Sequence, residues 1–194
     1  MSEIKSTRQL WIEKGYEQFA LYGPENFSVK LLSKSIGFSR ASFYHHFGDV
    51  ELFFDELLSK HWIMAEEFNA IGKEKCLQLF PDLYQLLEQI PITLKFSLQL
   101  FHHRHVPRFN FLFVKTYEAN AHSFALKLFK EQLGLSHQEK DVYHLWLTMG
   151  EAWYSRLDSN DLTSSTLQKH AEEILNNLSI FVDSALYATL HKKL

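Results

Sequence analysis

Between Ser39 and Phe47 the chain sets Arg40, Ser42, Tyr44, His45 and His46 close together. Guanidinium, hydroxyl, phenol and imidazole groups are all hydrogen-bond donors, and all but the guanidinium can also accept. Phe43 and Phe47 stand four apart among them, a spacing that puts both on one side of a helix as an apolar anchor. A polar ridge on such an anchor suits recognition rather than bond-making. The chain has no glycine-rich phosphate loop, no G-x-S-x-G elbow and no H-E-x-x-H pair. Its nearest approach to the Glu-x-x-His of carboxylate-bridged metal bundles is Glu118 and His122, one residue too far apart. His102, His103 and His105 invite a metal reading, but neither a cysteine nor a carboxylate lies near them, and the segment abuts Pro107. It reads as a solvated helix end. No catalytic residue, cofactor or metal is expected.

The elements that must hold the ridge are punctuated by the sequence itself. Residues 6–22 read as a helix, with Trp11, Gly15 and Phe19 repeating every four positions and Gly23-Pro24 ending it. Ser28 is an N-cap for a short helix from Val29 to Ile36, whose Val29, Leu32 and Ile36 share a face. Gly37 closes that helix and Ser39 caps the next, Arg40 to Phe47. Asp49 then caps a long helix from Val50. Two helices of about eight residues joined by a short glycine-containing turn make a helix-turn-helix. Helices so short need a platform, and residues 6–22 supply it.

The runs Phe27-Ser28-Val29-Lys30 and Ile36-Gly37-Phe38-Ser39-Arg40-Ala41-Ser42-Phe43-Tyr44-His45-His46-Phe47-Gly48-Asp49 resemble the TetR family of bacterial regulators. Thr7-Arg8 and Phe19-Ala20-Leu21-Tyr22-Gly23 match that family's first helix, so the resemblance covers about residues 6–54. It implies that Arg40 to Phe47 enters the DNA major groove. Arg40 and Ser42, with Ser39 at the cap, would then face base edges. Tyr44, His45 and His46 would reach phosphates or a thymine methyl, and Lys30 would meet the backbone beside a helix N-terminus. The family has Ala where Gly15 and Ser33 stand, small exchanges that should leave packing intact. It often has a phosphate-binding Lys where Val50 stands, a contact Val50 cannot make.

The resemblance also implies an all-α fold: a DNA-binding domain over residues 1–49 and a larger effector-binding and dimerisation domain over 50–194. Residues 50–70 read as a connecting helix, with breaks near Gly72, Pro81, Pro91 and Pro107 and a long helix running on to Gly134. Two capping boxes, Ser136–Glu139 and Ser165–Gln168, open the last two helices. In the final helix Leu167, Ala171, Ile174, Leu178, Phe181 and Ala185 alternate spacings of four and three, as in a coiled-coil seam. The implied assembly is a homodimer pairing its last two helices, with two readers about one turn (~34 Å) apart on near-palindromic double-stranded DNA. The aromatic middle, from Phe96 to Trp153, is either a packed core or the wall of a small-molecule effector site. The pattern names no ligand-binding residue.

Composition sets the outer bounds. Charged residues at 22% and apolar ones at 46% fit a folded globule, and scarce Val with abundant Leu, Lys, Glu and Gln favours helix. Cys76 is the only cysteine, so no internal disulfide forms and a reducing cytoplasm is the natural setting. Met1–Lys5 lacks the apolar run of a signal peptide, and no stretch is long and apolar enough to span a membrane. Of the net charge of −3, residues 1–48 hold +2 and the remainder −5, a mild asymmetry that favours DNA at the N-terminal end. Two rivals stand beside the regulator: a helical interaction module that has lost DNA binding, and a metal-binding helical-bundle enzyme.

Overall fold

The computed structural model describes residues 6–136 and 138–191, with side-chain surroundings as far as residue 177. Its described elements are helical, apart from one isolated bridge between Asp158 and Asp161. The first helix, α1 (Thr7–Tyr22), opens on a capping box. Ser6 Oγ accepts from the Gln9 N–H at 3.2 Å, and Gln9 Oε1 accepts from the Ser6 N–H at 2.8 Å. Two of the backbone donors that every helix start leaves unpaired are thereby satisfied.

Two short helices follow, α2 (Val29–Ile36) and α3 (Arg40–Phe47), capped by the hydroxyls of Ser28 and Ser39. Between them Gly37 takes φ +76° and ψ +18°, a left-handed geometry that a side chain resists. That reversal lets α3 begin three residues later. Asp49 caps α4 (Val50–Lys75), its Oδ1 accepting from the Leu52 N–H at 2.8 Å. The helix runs past Gly72 rather than breaking there. A Cβ on Gly72 would lie 2.3 Å from Phe124 Cζ, so this glycine makes room for a ring.

The remaining elements are α5 (Tyr84–Glu88), α6 (Pro91–His102), α7 (Pro107–Asn120), α8 (Leu126–Gln132), α9 (Glu139–Tyr154) and α10 (Ser164–His191). Wider π-type turns occupy Leu79–Leu83 and Ala121–Ala125. Pro91 and Pro107 sit at the first positions of α6 and α7, where a missing N–H breaks no helical bond. The two downstream capping boxes do not form as anticipated. Gln138 caps α9 without a side-chain bond. For α10, Thr163 rather than Ser165 receives the Thr166 N–H, because Asp161 holds both threonine hydroxyls at 2.9 Å.

The chain forms two compact units, Met1–Ile71 with Ile90–Asn120, and Gly72–Gln89 with Ala121–Leu194. In the first, Phe43 is fully buried and meets Trp11, Phe47 and Phe53 at ring distances of 5.3, 5.2 and 4.9 Å. Phe19 of α1 stacks on Phe96 of α6 at 4.4 Å and meets Phe54 and Phe109 edge-on. Gly15 faces Phe53 so closely that a Cβ would lie 2.3 Å from its Cζ. The Ala expected to be harmless there has no room. Ser33 is buried, and its hydroxyl is satisfied by the Lys30 carbonyl at 3.0 Å.

In the second unit Phe129 and Trp146 pack edge to face at 5.3 Å. Leu167, Ala171 and Ile174 are buried with them, and Trp153 Nε1 donates to the Leu167 carbonyl at 2.8 Å. Of the aromatic middle, Phe96, Phe101, Phe109, Phe113, Phe124 and Trp146 are core residues, while Phe111 is exposed.

Candidate nucleic-acid interface

Three features place α3 at the surface with its polar side outward. Ser39 starts the helix in extended backbone (φ −74°, ψ +150°) and accepts the Ser42 N–H at 3.2 Å. Phe43 and Phe47 bury the inner side, and Gly48 ends the helix at φ +77°. Arg40, Ala41, Tyr44 and His45 are left exposed, with Ser42 and His46 half-buried at the margins. The Tyr44 ring lies edge-on to Phe43 at 5.3 Å, so its base is fixed while its hydroxyl end faces out.

Lys30 is exposed in the first turn of α2, where Ser28 Oγ takes the Leu31 N–H at 3.3 Å. No acidic residue occupies the first turn of either helix, so the partial positive charge of each N-terminus is uncompensated. Among the described residues neither Lys30 nor Arg40 belongs to an ion pair. The seven residues singled out from the sequence therefore lie on neighbouring short helices, with their donors outward or at the edge. What such a surface can do is offer several hydrogen-bond donors and two cations to an anionic, acceptor-rich partner.

Sequence reasoning missed two supports. Arg8 pairs with Glu56 at 2.6 Å and covers the Phe47 ring at 5.4 Å, holding the end of α3 between α1 and α4. Arg108 of α7 pairs with Glu51 and, at 3.1 Å, with Asp55. Its guanidinium also lies over Phe54 and Phe109. Arg108 thus offsets acidic charge at the start of α4, where Val50 offers none of its own. Nothing local in the sequence announces either pair, because the partners are 48 and 53–57 residues apart.

The residues expected to pair two chains are distributed differently. Leu167, Ala171 and Ile174 are spent inside their own unit, buried to within 6% of full enclosure. An apolar stripe at coiled-coil spacing serves an internal core as well as a partner, and here its first half serves the core. Leu178, Phe181 and Ala185 lie outside the residues whose side chains are described. His103 Nδ1 donates to the Gln99 carbonyl at 2.9 Å, and among the described residues no group of three His, Cys, Asp or Glu is arranged to hold a metal ion. No described helix is long and apolar enough to cross a membrane.

The family described as bacterial regulatory proteins of the tetR type matches residues 12–57, the stretch from α1 through the first turns of α4. Three solved structures share the fold over most of the chain. The ketosteroid transcriptional regulator KstR2 of Mycobacterium tuberculosis aligns with a TM-score of 0.57 and 15% identity, over 90% of this chain and 96% of its own. A TerR/AcrR-family transcriptional regulator from Aquifex aeolicus gives 0.54 and 19%, over 91% and 99%. A TetR-family regulator from Mesorhizobium loti gives 0.50 and 18%, over 87% and 95%. Among curated proteins no relative matches the chain. Identities this low speak to the fold alone. The family match covers the stretch that carries α2 and α3.

Proposed function

We propose that this chain is a TetR-type transcriptional regulator that acts as a repressor. It binds a near-palindromic operator as a homodimer and releases it when a small molecule occupies the C-terminal domain. The division of labour falls at the start of α4: residues 1–49 read DNA, and residues 50–194 pair the chains and take the effector. The exposed polar side of α3, seated on buried Phe43 and Phe47, is the observation that carries this reading.

Arg40 donates to guanine O6 and N7, a contact worth about 1–3 kcal/mol of discrimination. Ser39 and Ser42 meet neighbouring base edges. Tyr44, His45 and His46 take phosphates or a thymine methyl, and Lys30 takes a phosphate. Since Leu167, Ala171 and Ile174 are internal, the dimer seam passes to Leu178, Phe181 and Ala185 and to the partner-facing side of α9. The effector's leverage equals its differential affinity for the DNA-bound and released states. The cytoplasm, where such DNA lies, is the proposed location.

A gel shift with DNA from upstream of the protein's own gene, run at two salt concentrations, tests the reading. Operator binding weakens steeply as salt rises and still outcompetes random DNA. Binding that falls with salt but never discriminates, or no binding at all, rejects it in favour of a helical interaction module.

A further inference from the structure

His61 lies in the middle of α4 with 1% of its surface exposed, far in sequence from the DNA-facing residues, and both of its ring nitrogens are engaged. The Tyr16 hydroxyl of α1 is 2.7 Å from Nδ1, and Ser97 Oγ of α6 is 3.2 Å from Nε2. The donors can be assigned. Ser97 gives its hydroxyl proton to the Thr93 carbonyl at 3.2 Å. It must therefore accept from His61, which places the imidazole proton on Nε2. Nδ1 is then the acceptor, and Tyr16 donates to it. The donors form a relay across three helices: Tyr16 to His61, His61 to Ser97, Ser97 to the Thr93 carbonyl.

Tyr16 and His61 are buried, while Ser97 is half-buried at the end of the relay. Phe96 stacks on Tyr16 at 4.3 Å with 7° between planes, and on His61 at 4.6 Å with 22°. Burial keeps His61 neutral, its pKa lowered to about 3, so the arrangement is constant at every physiological pH. Displacing α1 from α4 would leave the buried Tyr16 hydroxyl and His61 Nδ1 without each other as partners. Tyr16 follows Gly15 directly, and Gly15 is the point where α1 touches Phe53, which packs against Phe43 of the reader helix. A shift of α1 is thus transmitted to the seat of α3.

We infer that Tyr16, His61 and Ser97 form a hydrogen-bond relay that locks α1 against α4 and α6, and that selective operator binding depends on the relay being intact. The inference rests on the reading of α3 as the DNA reader. His61 is in this sense a positioning residue for recognition: it touches no DNA and acts through α1.

The test uses the full-length protein and DNA from upstream of its own gene, with binding followed by fluorescence anisotropy and folding by circular dichroism. Tyr16→Phe removes one hydroxyl and leaves the ring on Phe96; Ser97→Ala removes another. Each is expected to weaken operator binding about five- to tenfold, while the double variant falls less than about twofold below the weaker single, as befits members of one unit. Random-DNA affinity and the salt slope stay at wild-type values, because no phosphate contact is lost. His61→Gln, whose amide can accept from Tyr16 and donate to Ser97, recovers most of the affinity that His61→Leu loses. Folded Tyr16→Phe and Ser97→Ala proteins that bind within about twofold of wild type overturn the inference. So do losses that multiply in the double variant, or a glutamine no better than leucine. Where His61→Leu does not fold, the two hydroxyl variants decide alone. A wild-type protein with no selectivity overturns the reading of α3, and the inference with it; a selective wild type with indifferent variants overturns the inference only.

Discussion

Helices α3 and α10 both carry an apolar side and a polar side, yet they spend their polar sides in opposite ways. On α10 the charges pair among themselves or with Arg156 just beyond the end of α9. Lys169 and Arg156 both approach Glu173, at 3.9 and 3.7 Å, and Gln168 donates to Glu172 at 2.6 Å. On α3 and the adjoining turn of α2, Arg40 and Lys30 lie outside every ion pair among the described residues, beside helix ends with no acidic residue in the first turn. Surface pairs of the α10 kind contribute little stability and mark a solvated face. Cations held at the surface without counter-charges keep their full field for a partner. The comparison teaches that amphipathicity alone does not identify a functional helix. What distinguishes α3 is that its donors remain unspent.

The apolar sides differ as well, and the largest expected effect bears on them. Leu167→Ala is expected to lower the stability of the folded chain by about 2–5 kcal/mol, the usual range for a fully enclosed leucine. Denaturant melts at several protein concentrations check this. A midpoint loss that is the same at every concentration marks a core residue, whereas a loss that disappears at high concentration would return Leu167 to the dimer seam. Next in size is Gly15→Ala. The added Cβ would meet Phe53, and overpacking of this kind costs about 1–3 kcal/mol, partly offset by the better helix propensity of alanine. Combining it with Phe53→Leu should recover the loss. Equal stability of Gly15→Ala and wild type would show that the ring moves aside freely.

An acid titration sharpens the contrast further through His61, the enclosed histidine of α4. The folded pKa of His61, about 3, lies below its ordinary value of 6.5. Between those limits the unfolded chain binds a proton that the folded chain excludes. Stability from this group is therefore complete above about pH 6.5 and is lost as pH falls toward 3, at about 1.4 kcal/mol per pH unit. The ionisable group facing His61 is Tyr16, whose pKa burial raises, so it stays neutral throughout this range. His61→Gln should flatten that limb in urea melts taken at successive pH values. An unchanged slope would assign the acid sensitivity to other groups.

Much of the N-terminal fifty residues was legible because their structure is set by neighbours in sequence. Ser28 and Ser39 bond the N–H three residues on, Asp49 does the same, and Gly37 supplies a backbone angle other residues resist. These are local events, and local residue types predict them. The supports of the reader were illegible for the opposite reason. Tyr16 and His61 are 45 residues apart, and Arg108 lies 57 beyond Glu51. Their partners are fixed by packing, which no short window contains. On α10 the first half of the expected seam, Leu167, Ala171 and Ile174, lies in the core of its own unit. Its periodicity correctly gave a helix with an apolar stripe, but periodicity is the same whether the stripe meets its own core or a second chain. The cap of α10 moved from Ser165 to Thr163 because Asp161 gathers the two threonine hydroxyls, a three-residue arrangement that a two-residue motif overlooks.

The central claim is that the outward side of α3 reads base sequence, and Arg40→Ala tests it most directly. Its affinities for upstream operator DNA and for random DNA of equal length, taken at one salt concentration, should diverge from wild type. Operator affinity is predicted to fall by about five- to 150-fold, the equivalent of 1–3 kcal/mol, with a much smaller loss on random DNA, so that selectivity drops. A variant that binds the operator as tightly and as selectively as wild type would contradict the account.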